Sequence, residues 1–291
     1  MILPHPRGYV CARAGVPITI DGDLSKSVWD AAPWSEEFVD IEGEFQPTPT
    51  WPTRVKMLWD EDFFYIGAYL TEPHVWATLT EHDSVIFQDN DFEVFIDPDS
   101  DNHDYGELEL NALNTTWDLR LPKPYRDGGP ALNEWELYGM KTAVKIDGTL
   151  NDPTDEDQGW SVEIAIPWTA LATLKGGERP SVGQQWRINF SRVEWDIEIT
   201  EGRYEKTPGT PEHNWVWSPQ WVIDMHRPEN WGYVQFEESA DTPFRLDPTW
   251  EQRCYLMDAY NTSRETNSLY PGWEFEEATL RISHDSQITP R

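Results

Sequence analysis

The sequence predicts an all-β protein, an antiparallel β-sandwich with a C-terminal helical extension. Three observations predict this fold. Short runs of alternating apolar and polar residues fill residues 16–236, turns rich in Pro, Gly, Asp and Asn separate them, and the alternation changes to helical spacing after residue 248. The alternation gives each strand one core-facing and one water-facing side, as in antiparallel sheets. A chain of 291 residues can bury such a core without disulfides.

Nine segments have the composition and period of strands. In chain order they read VPITIDG, TRVKMLWD, FFYIGAYLTE, DFEVFIDP, ELELNALN, TAVKIDG, WSVEIAIP, WRINFSRVEW and WGYVQF. Helix signals are few before residue 237. Residues 24–32 predict one or two helical turns with Asp21 or Asp23 as a cap, and Pro167 predicts a short helix over residues 167–174.

The chain divides into three parts. We expect an N-terminal arm over residues 1–15, the sandwich over residues 16–236, and a linker with a helical tail over residues 237–291. Residues 249–270 are predicted to form a helix, packed on the sandwich or on a partner, and Pro271 and Gly272 are predicted to end it. Its apolar residues at helical spacing are Trp250, Cys254, Met257 and Tyr260.

Composition limits the ligands of the protein. The chain has 53 acidic and 22 basic residues and a net charge of −31, which repels nucleic acid and anionic membrane surfaces. No apolar run is long enough to cross a membrane. Neutral ligands and cations such as calcium suit this charge, although solubility alone also explains most of it. The 17 Trp exceed what a core of this size needs, so some are expected on the surface as stacking platforms.

Cysteine usage and the N-terminus bear on the compartment. Cys11 and Cys254 lie at opposite ends of the chain, and they either form a pair or remain two free buried thiols. The segment MILPHPRGYVCARAG lacks a basic stretch followed by a long apolar one. We therefore expect either an extracytoplasmic or secreted protein whose leader is missing from this chain, or a cytoplasmic protein.

Residues 90–111, NDFEVFIDPDSDNHDYGELELN, combine strand alternation with many carboxylates. If the two strands form a hairpin, Glu93 in the first and Glu107, Glu109 and Asn111 in the second point away from the core, on one open face. Glu93 and Glu109 would then lie close together, and like charges this close need a cation, an arginine or a shared proton. The alternative is a solvated face with local ion pairs.

The loop DPDSDNHD is a candidate metal site. Asp97, Asp99 and Asp101 alternate as at the start of an EF-hand, but Asn102 replaces the glycine and Leu108 the glutamate of that motif. The loop could bind calcium with backbone carbonyls or be a plain Asp-rich turn. The loop over residues 151–159 has the same two interpretations.

Five motifs in order resemble carbohydrate-binding module family 9 and its DOMON-like relatives. They read ITIDGDLSKSVWDAAPWSEEF, VKMLWDEDFFYIGAYL, DNDFEVFID, GWSVEIAIPW and WGYVQF and cover roughly residues 16–236. The resemblance implies a β-sandwich, structural calcium ions that stiffen loops, and a sugar held between two aromatic rings. Some DOMON-like relatives instead bind haem.

The resemblance also implies roles for individual residues. Glu93 matches a sugar-contacting glutamate, and Phe87 matches one of two clamping tryptophans. The second clamp aligns with Met225, and Trp221 four residues before it is a possible substitute. Glu109 stands where the family has an arginine.

Two functions from different classes follow. The first is a carbohydrate-binding protein or module for a polysaccharide or oligosaccharide, in polysaccharide degradation. Its stacking residues would be Phe87, Trp117 and Trp221, and its polar residues Glu93, Glu109, Asn111 and Arg187. The alternative is a glycoside hydrolase-like enzyme on the same scaffold, with Glu93 and Glu109 as its carboxylate pair. A third possibility makes the chain a subunit of a larger assembly.

Overall fold

The computed structural model describes residues 3–269, and these are mostly strands. In this range the strands are β1 (Gly8–Arg13), β2 (Val39–Asp40), β3 (Thr53–Trp59), β4 (Phe63–Thr71), β5 (Asp91–Asp97), β6 (Tyr105–Asn111), β7 (Thr116–Leu121), β8 (Lys141–Asp147), β9 (Gly159–Pro167), β10 (Gln185–Glu194), β11 (Ile197–Thr200), β12 (Arg203–Lys206), β13 (His213–Val216) and β14 (Gly232–Glu237). The α-helices are α1 (Trp168–Leu171) and α2 (Trp250–Leu269).

One curled sheet contains all of these strands except the β11–β12 hairpin. Its order is β7-β6-β5-β10-β14-β1-β3-β4-β9-β8, and β13 pairs with both β10 and β2. Neighbouring strands run antiparallel except at β1, which is parallel to both β14 and β3. β1 therefore joins two antiparallel halves, and the predicted β-sandwich is confirmed.

The core lies between the two halves of the sheet. Phe92 of β5 and Phe190 of β10 belong to the same buried cluster as Ile66 of β4 and Ile164 of β9. Strand alternation explains this arrangement, because every second residue of these segments is apolar and points to one side. The other side of the first half, made of β7, β6, β5 and β10, carries the polar residues.

Three local predictions near the N-terminus are wrong. Residues 16–22 form a loop and not a strand, and the buried Glu163 carboxylate holds this loop by accepting the backbone N–H groups of Asp21 and Gly22 at 2.9 and 2.8 Å. The short helix that follows is a 3-10 helix, Ser27–Ala31, without a side-chain cap. The segment predicted as an arm contributes β1 to the middle of the sheet.

The tail helix packs on the rest of the protein as its spacing predicts. Trp250, Cys254, Met257 and Tyr260 are buried on one side of α2, and the Trp250 indole donates to the Leu3 carbonyl at 2.9 Å. The predicted end of this helix lies outside the described residues. Cys11 and Cys254 are both buried and free. Over residues 3–269, no helix has the length and apolar character to span a bilayer.

Candidate functional site

The β5–β6 hairpin places its carboxylates on the side of the sheet that faces away from the core. Glu93 lies directly opposite Glu109, as the alternation predicts. On the outer strand β7, Trp117 is the partner of Glu109, and on β10, Ser191 is the partner of Glu93. Glu107 lies two residues before Glu109 in β6, so its side chain points to the same side of the sheet. These five residues occupy neighbouring positions on one face.

This face is not open, which corrects the prediction. Glu93 and Glu107 are each 5% exposed and Glu109 is 2% exposed. Two loops from distant parts of the chain, residues 122–130 and 221–230, lie over the sheet. Both terminal nitrogens of Arg126 in the first loop donate to the Glu229 carboxylate in the second, each at 2.7 Å. The ion pair holds the two loops together above the carboxylates.

A cleft of about 260 Å³ remains between the loops and the sheet. Its lining includes the three sheet glutamates, Glu212, Asp224, aromatic side chains and apolar residues. The lining residues are Ile41, Phe87, Glu93, Phe95, Glu107, Glu109, Trp117, Leu119, Tyr125, Val193, Glu212, Asn214, Ile223, Asp224, Met225 and His226. No lysine or arginine of the described chain is among them.

Aromatic rings lie at two places around the cleft. Phe87 and Trp117 pack together with their ring centroids 6.5 Å apart, and the Phe87 backbone N–H donates to the Glu109 carboxylate at 3.0 Å. Tyr125 meets the His226 ring edge-on at 4.4 Å. A ring nitrogen of His226 lies 3.9 Å from a Glu107 oxygen, so the second pair sits at the Glu107 end. Tyr125 is 46% exposed and offers its ring to a ligand.

Burial controls the protonation of the carboxylates. Loss of hydration raises the pKa of Glu93 to about 7, and the Ser191 hydroxyl beside it opposes this rise. Burial, followed by the charge of Glu93, raises the pKa values of Glu107 and Glu109 well above the ordinary range. The same two causes raise the pKa of Asp91, which lies in β5 at the floor of the cleft. A ligand that donates hydrogen bonds or carries positive charge would favour the charged form of these carboxylates and lower their pKa values.

Two buried carboxylate oxygens in this region have no hydrogen-bond partner. They are Oδ2 of Asp91 and Oε2 of Glu107. Buried polar atoms in folded proteins are nearly always satisfied, by protein, water or ligand. These oxygens are free to bind a ligand, an ion or water.

Comparison with known families identifies the chain. The family model described as carbohydrate family 9 binding domain-like matches residues 20–196. The chain belongs to this family. The carbohydrate-binding function predicted from the sequence is therefore confirmed at the level of the family, and the enzyme alternative is not favoured.

Individual relatives of this family 9 domain are distant. The exoglucanase XynX of Acetivibrio thermocellus is 24% identical over 176 residues, which are 60% of this chain and 14% of that protein. The chain thus spans a small part of its curated relative.

Two solved structures of family 9 modules from Caldicellulosiruptor kristjanssonii share the fold. One, in complex with cellotriose, has a TM-score of 0.53 and 16% identity and covers 83% of this chain and 100% of that one. The other, in complex with glucose, has a TM-score of 0.52 and 15% identity and covers 81% of this chain and 99% of that one.

The structure brings four of the predicted sugar-binding residues of this family 9 domain together. Phe87, Glu93, Glu109 and Trp117 all line the cleft. Met225, the residue that aligns with the second clamp, lines it as well. Met225 is 8% exposed, so it contributes an apolar surface and no broad ring.

Three predicted residues lie elsewhere. Trp221 packs edge-on against Phe45 at 5.9 Å and lines a different cleft. Arg187 lies four residues along β10 from Ser191, which places it about 13 Å from Ser191 and away from the carboxylates of the cleft. Its guanidinium instead stacks on Tyr233 at 3.9 Å.

Asn111 is opposite Asp91 in the register, but its side chain closes a turn. The Asn111 side-chain oxygen accepts the backbone N–H groups of Leu113 and Thr115 at 3.0 and 3.1 Å.

Among the cleft residues that were not predicted as part of the site are Glu107, Tyr125 and His226. Glu107 could have been included, since it shares strand and face with Glu109. Tyr125 and His226 come from loops, where no periodicity shows which side chains point to the sheet.

The predicted calcium loop has suitable carboxylate ligands, but a lysine side chain already contacts two of them. One carboxylate oxygen each of Asp97, Asp99 and Asp101 lie within 4.8 Å of one another. The Lys175 ammonium contacts Asp99 and lies 2.8 Å from Asp101, so it already neutralises two of the three. Within residues 3–264, the loop over residues 151–159 brings no three such ligands together. Calcium in either loop stays a prediction.

Proposed function

We propose that the cleft between the β5–β6 hairpin and the two covering loops is the sugar-binding site of this domain. The observation that carries the proposal is the combination of buried glutamates with aromatic rings around one cleft. Carboxylate oxygens accept hydrogen bonds from sugar hydroxyls, and the faces of Trp117 and Tyr125 suit the C–H faces of a sugar ring. The unpartnered Oε2 of Glu107 is available to a hydroxyl.

The relatives suggest which sugars to test first. One family 9 structure holds cellotriose, another holds glucose, and the curated relative is an exoglucanase. We propose a glucose-containing oligosaccharide or polysaccharide as ligand, and a role as the binding part of an extracytoplasmic polysaccharide-degrading protein. A net charge of −31 favours neutral glycans over anionic ones.

Two matched tryptophan variants test the location of the site. Calorimetric titration of glucose and cellotriose, with calcium in the buffer, should show binding to the wild type. Trp117→Ala removes a ring from the cleft and should weaken binding about two- to tenfold, the equivalent of one aromatic contact. Trp221→Ala removes a ring that lies outside it and should leave binding unchanged.

The same titrations can reject the proposal. Equal effects of the two variants, or a loss confined to Trp221→Ala, would place the sugar elsewhere. We also expect no release of reducing sugar from cellotriose, because the family match favours binding over catalysis.

A further inference from the structure

A group of three buried carboxylates forms the floor of the cleft. One oxygen each of Asp91, Glu93 and Glu109 lie within 4.8 Å of one another. Asp91 is fully buried and the other two are 5% and 2% exposed. Three ionised carboxylates so close and so dry repel one another strongly, so the group either takes up protons or holds a positive charge.

Elsewhere the fold supplies such a charge from its own side chains. The buried Glu163 accepts the Lys26 ammonium at 2.7 Å. The buried Glu72 and Glu194 share the Arg192 guanidinium, at 2.6 and 2.8 Å. Within residues 3–264, by contrast, no lysine, arginine or histidine nitrogen lies within ion-pair distance of the three floor carboxylates.

The ligands point to the kind of cation. Oδ2 of Asp91 is a buried oxygen without a partner, and the Ser191 hydroxyl lies beside Glu93 on the neighbouring strand. All of these donors are oxygen, and no histidine or cysteine is among them, which suits hard cations such as calcium. An ion equidistant from three atoms 4.8 Å apart would lie about 2.8 Å from each, and small side-chain movements reach the calcium–oxygen distance of about 2.3–2.6 Å.

We propose that a divalent cation of the calcium class binds between Asp91, Glu93 and Glu109, with its open side toward the cleft. Glu93 and Glu109 line the cleft, whereas Asp91 and Ser191 lie beneath it, so the ion enters from the cleft. The coordination positions that the protein leaves free face the place where a sugar would bind. Two neighbouring sugar hydroxyls can then replace water on the ion, which makes sugar binding cation-dependent. This last step rests on the proposed function.

Calcium chloride alone is the probe for the ion site. After dialysis against chelator and then chelator-free buffer, calorimetric titration should show calcium binding to the wild type. Asp91→Asn keeps an acceptor for the Val193 N–H, which Asp91 binds at 3.0 Å, but removes one charge. Loss of a group that merely supports a metal ligand costs about 10- to 100-fold, so Asp91→Asn should weaken calcium binding at least tenfold.

Matched variants test whether calcium binds at these three carboxylates. Glu198→Gln removes a carboxylate from the exposed β11–β12 hairpin and should leave calcium binding intact. Glu109→Gln should weaken it as Asp91→Asn does, and thermal melts confirm that each variant is folded. The proposal is overturned if wild-type protein binds no calcium, or if calcium binding survives both floor variants.

Sugar titrations with and without chelator separate this proposal from the proposed function. Wild-type protein should bind cellotriose in calcium and lose at least tenfold in affinity in chelator. Equal sugar binding in both buffers would overturn the cation's role and leave the sugar site standing. Calcium binding at the floor without any sugar binding would overturn the sugar site and leave the ion site standing.

Discussion

The two loops above the cleft are joined by one buried ion pair, and removal of its cation should destabilise the protein. The side chains of Arg126 and Glu229 are 11% and 4% exposed, and two hydrogen bonds of 2.7 Å join them. Burial lowers the pKa of Arg126, but the Glu229 carboxylate outweighs it and raises the pKa above its ordinary value. Arg126→Met retains most of the aliphatic stem and leaves the Glu229 charge buried without this partner.

The expected magnitude follows from that unpaired charge. Removal of one partner of a buried ion pair costs about 3–5 kcal/mol. Because Arg126 is partly exposed and its Nε already lacks a partner, we expect the lower end, about 3 kcal/mol. Arg126→Met should also weaken sugar binding, since Tyr125 and His226 lie on the two joined loops.

Urea unfolding of matched variants is the assay. Arg54→Met breaks an ion pair to Glu37 in which the two side chains are 48% and 45% exposed, and it should cost less than about 1 kcal/mol. The double variant Arg126→Met, Glu229→Gln should recover part of the lost stability, because it leaves no unpaired charge. If Arg126→Met costs no more than Arg54→Met, or the double variant recovers nothing, the ion pair does not hold the loops.

Lys175→Met should make melting calcium-dependent at the loop that carries Asp99 and Asp101, because the variant removes the ammonium that neutralises both carboxylates. Its melting temperature should fall in chelator and recover in calcium by more than that of the wild type, and an equal calcium response in the two proteins would refute this. Glu163→Gln should cost about 1.5–3 kcal/mol in urea unfolding, because the buried carboxylate accepts four donors, two of them from the 16–22 loop. Glu198→Gln on the exposed β11–β12 hairpin is its control and should change stability by less than about 0.5 kcal/mol, so similar losses in both would contradict the role of Glu163.

Strand alternation predicts which side chains share a face wherever the strand is half apolar. The period of two in residues 90–111 predicts the β5–β6 hairpin, and the observed register pairs Glu93 with Glu109. β1 could not be found in this way. Its sequence GYVCAR has no clean alternation, and its place in the sheet depends on parallel pairing with β14, from the far end of the chain.

The cover over the carboxylates could not be predicted from local sequence. Residues 122–130 and 221–230 have no strand or helix period, and their place above the sheet depends on Arg126 and Glu229, which are 103 residues apart. Without that contact, the alternating glutamates indicate a solvated face. The buried state of Glu93 and its raised pKa are consequences of tertiary structure.

The aromatic positions show the limit of a sequence resemblance. Phe87 could be placed because it precedes the recognisable strand β5, whereas Trp117 lies in β7, which is not among the nine predicted strands. Trp221 could not be placed, because its backbone has a positive φ of 66° and its ring packs on Phe45, away from the cleft. Met225 occupies the cleft instead.

A crystal structure of the protein with cellotriose and calcium would test the sugar site most directly. We expect a sugar ring in the cleft, with a hydroxyl within hydrogen-bonding distance of Glu93, Glu107 or Glu109 and a face against Trp117 or Tyr125. A sugar bound instead in the separate cleft lined by Arg7, Trp221 and Trp250 would contradict this assignment.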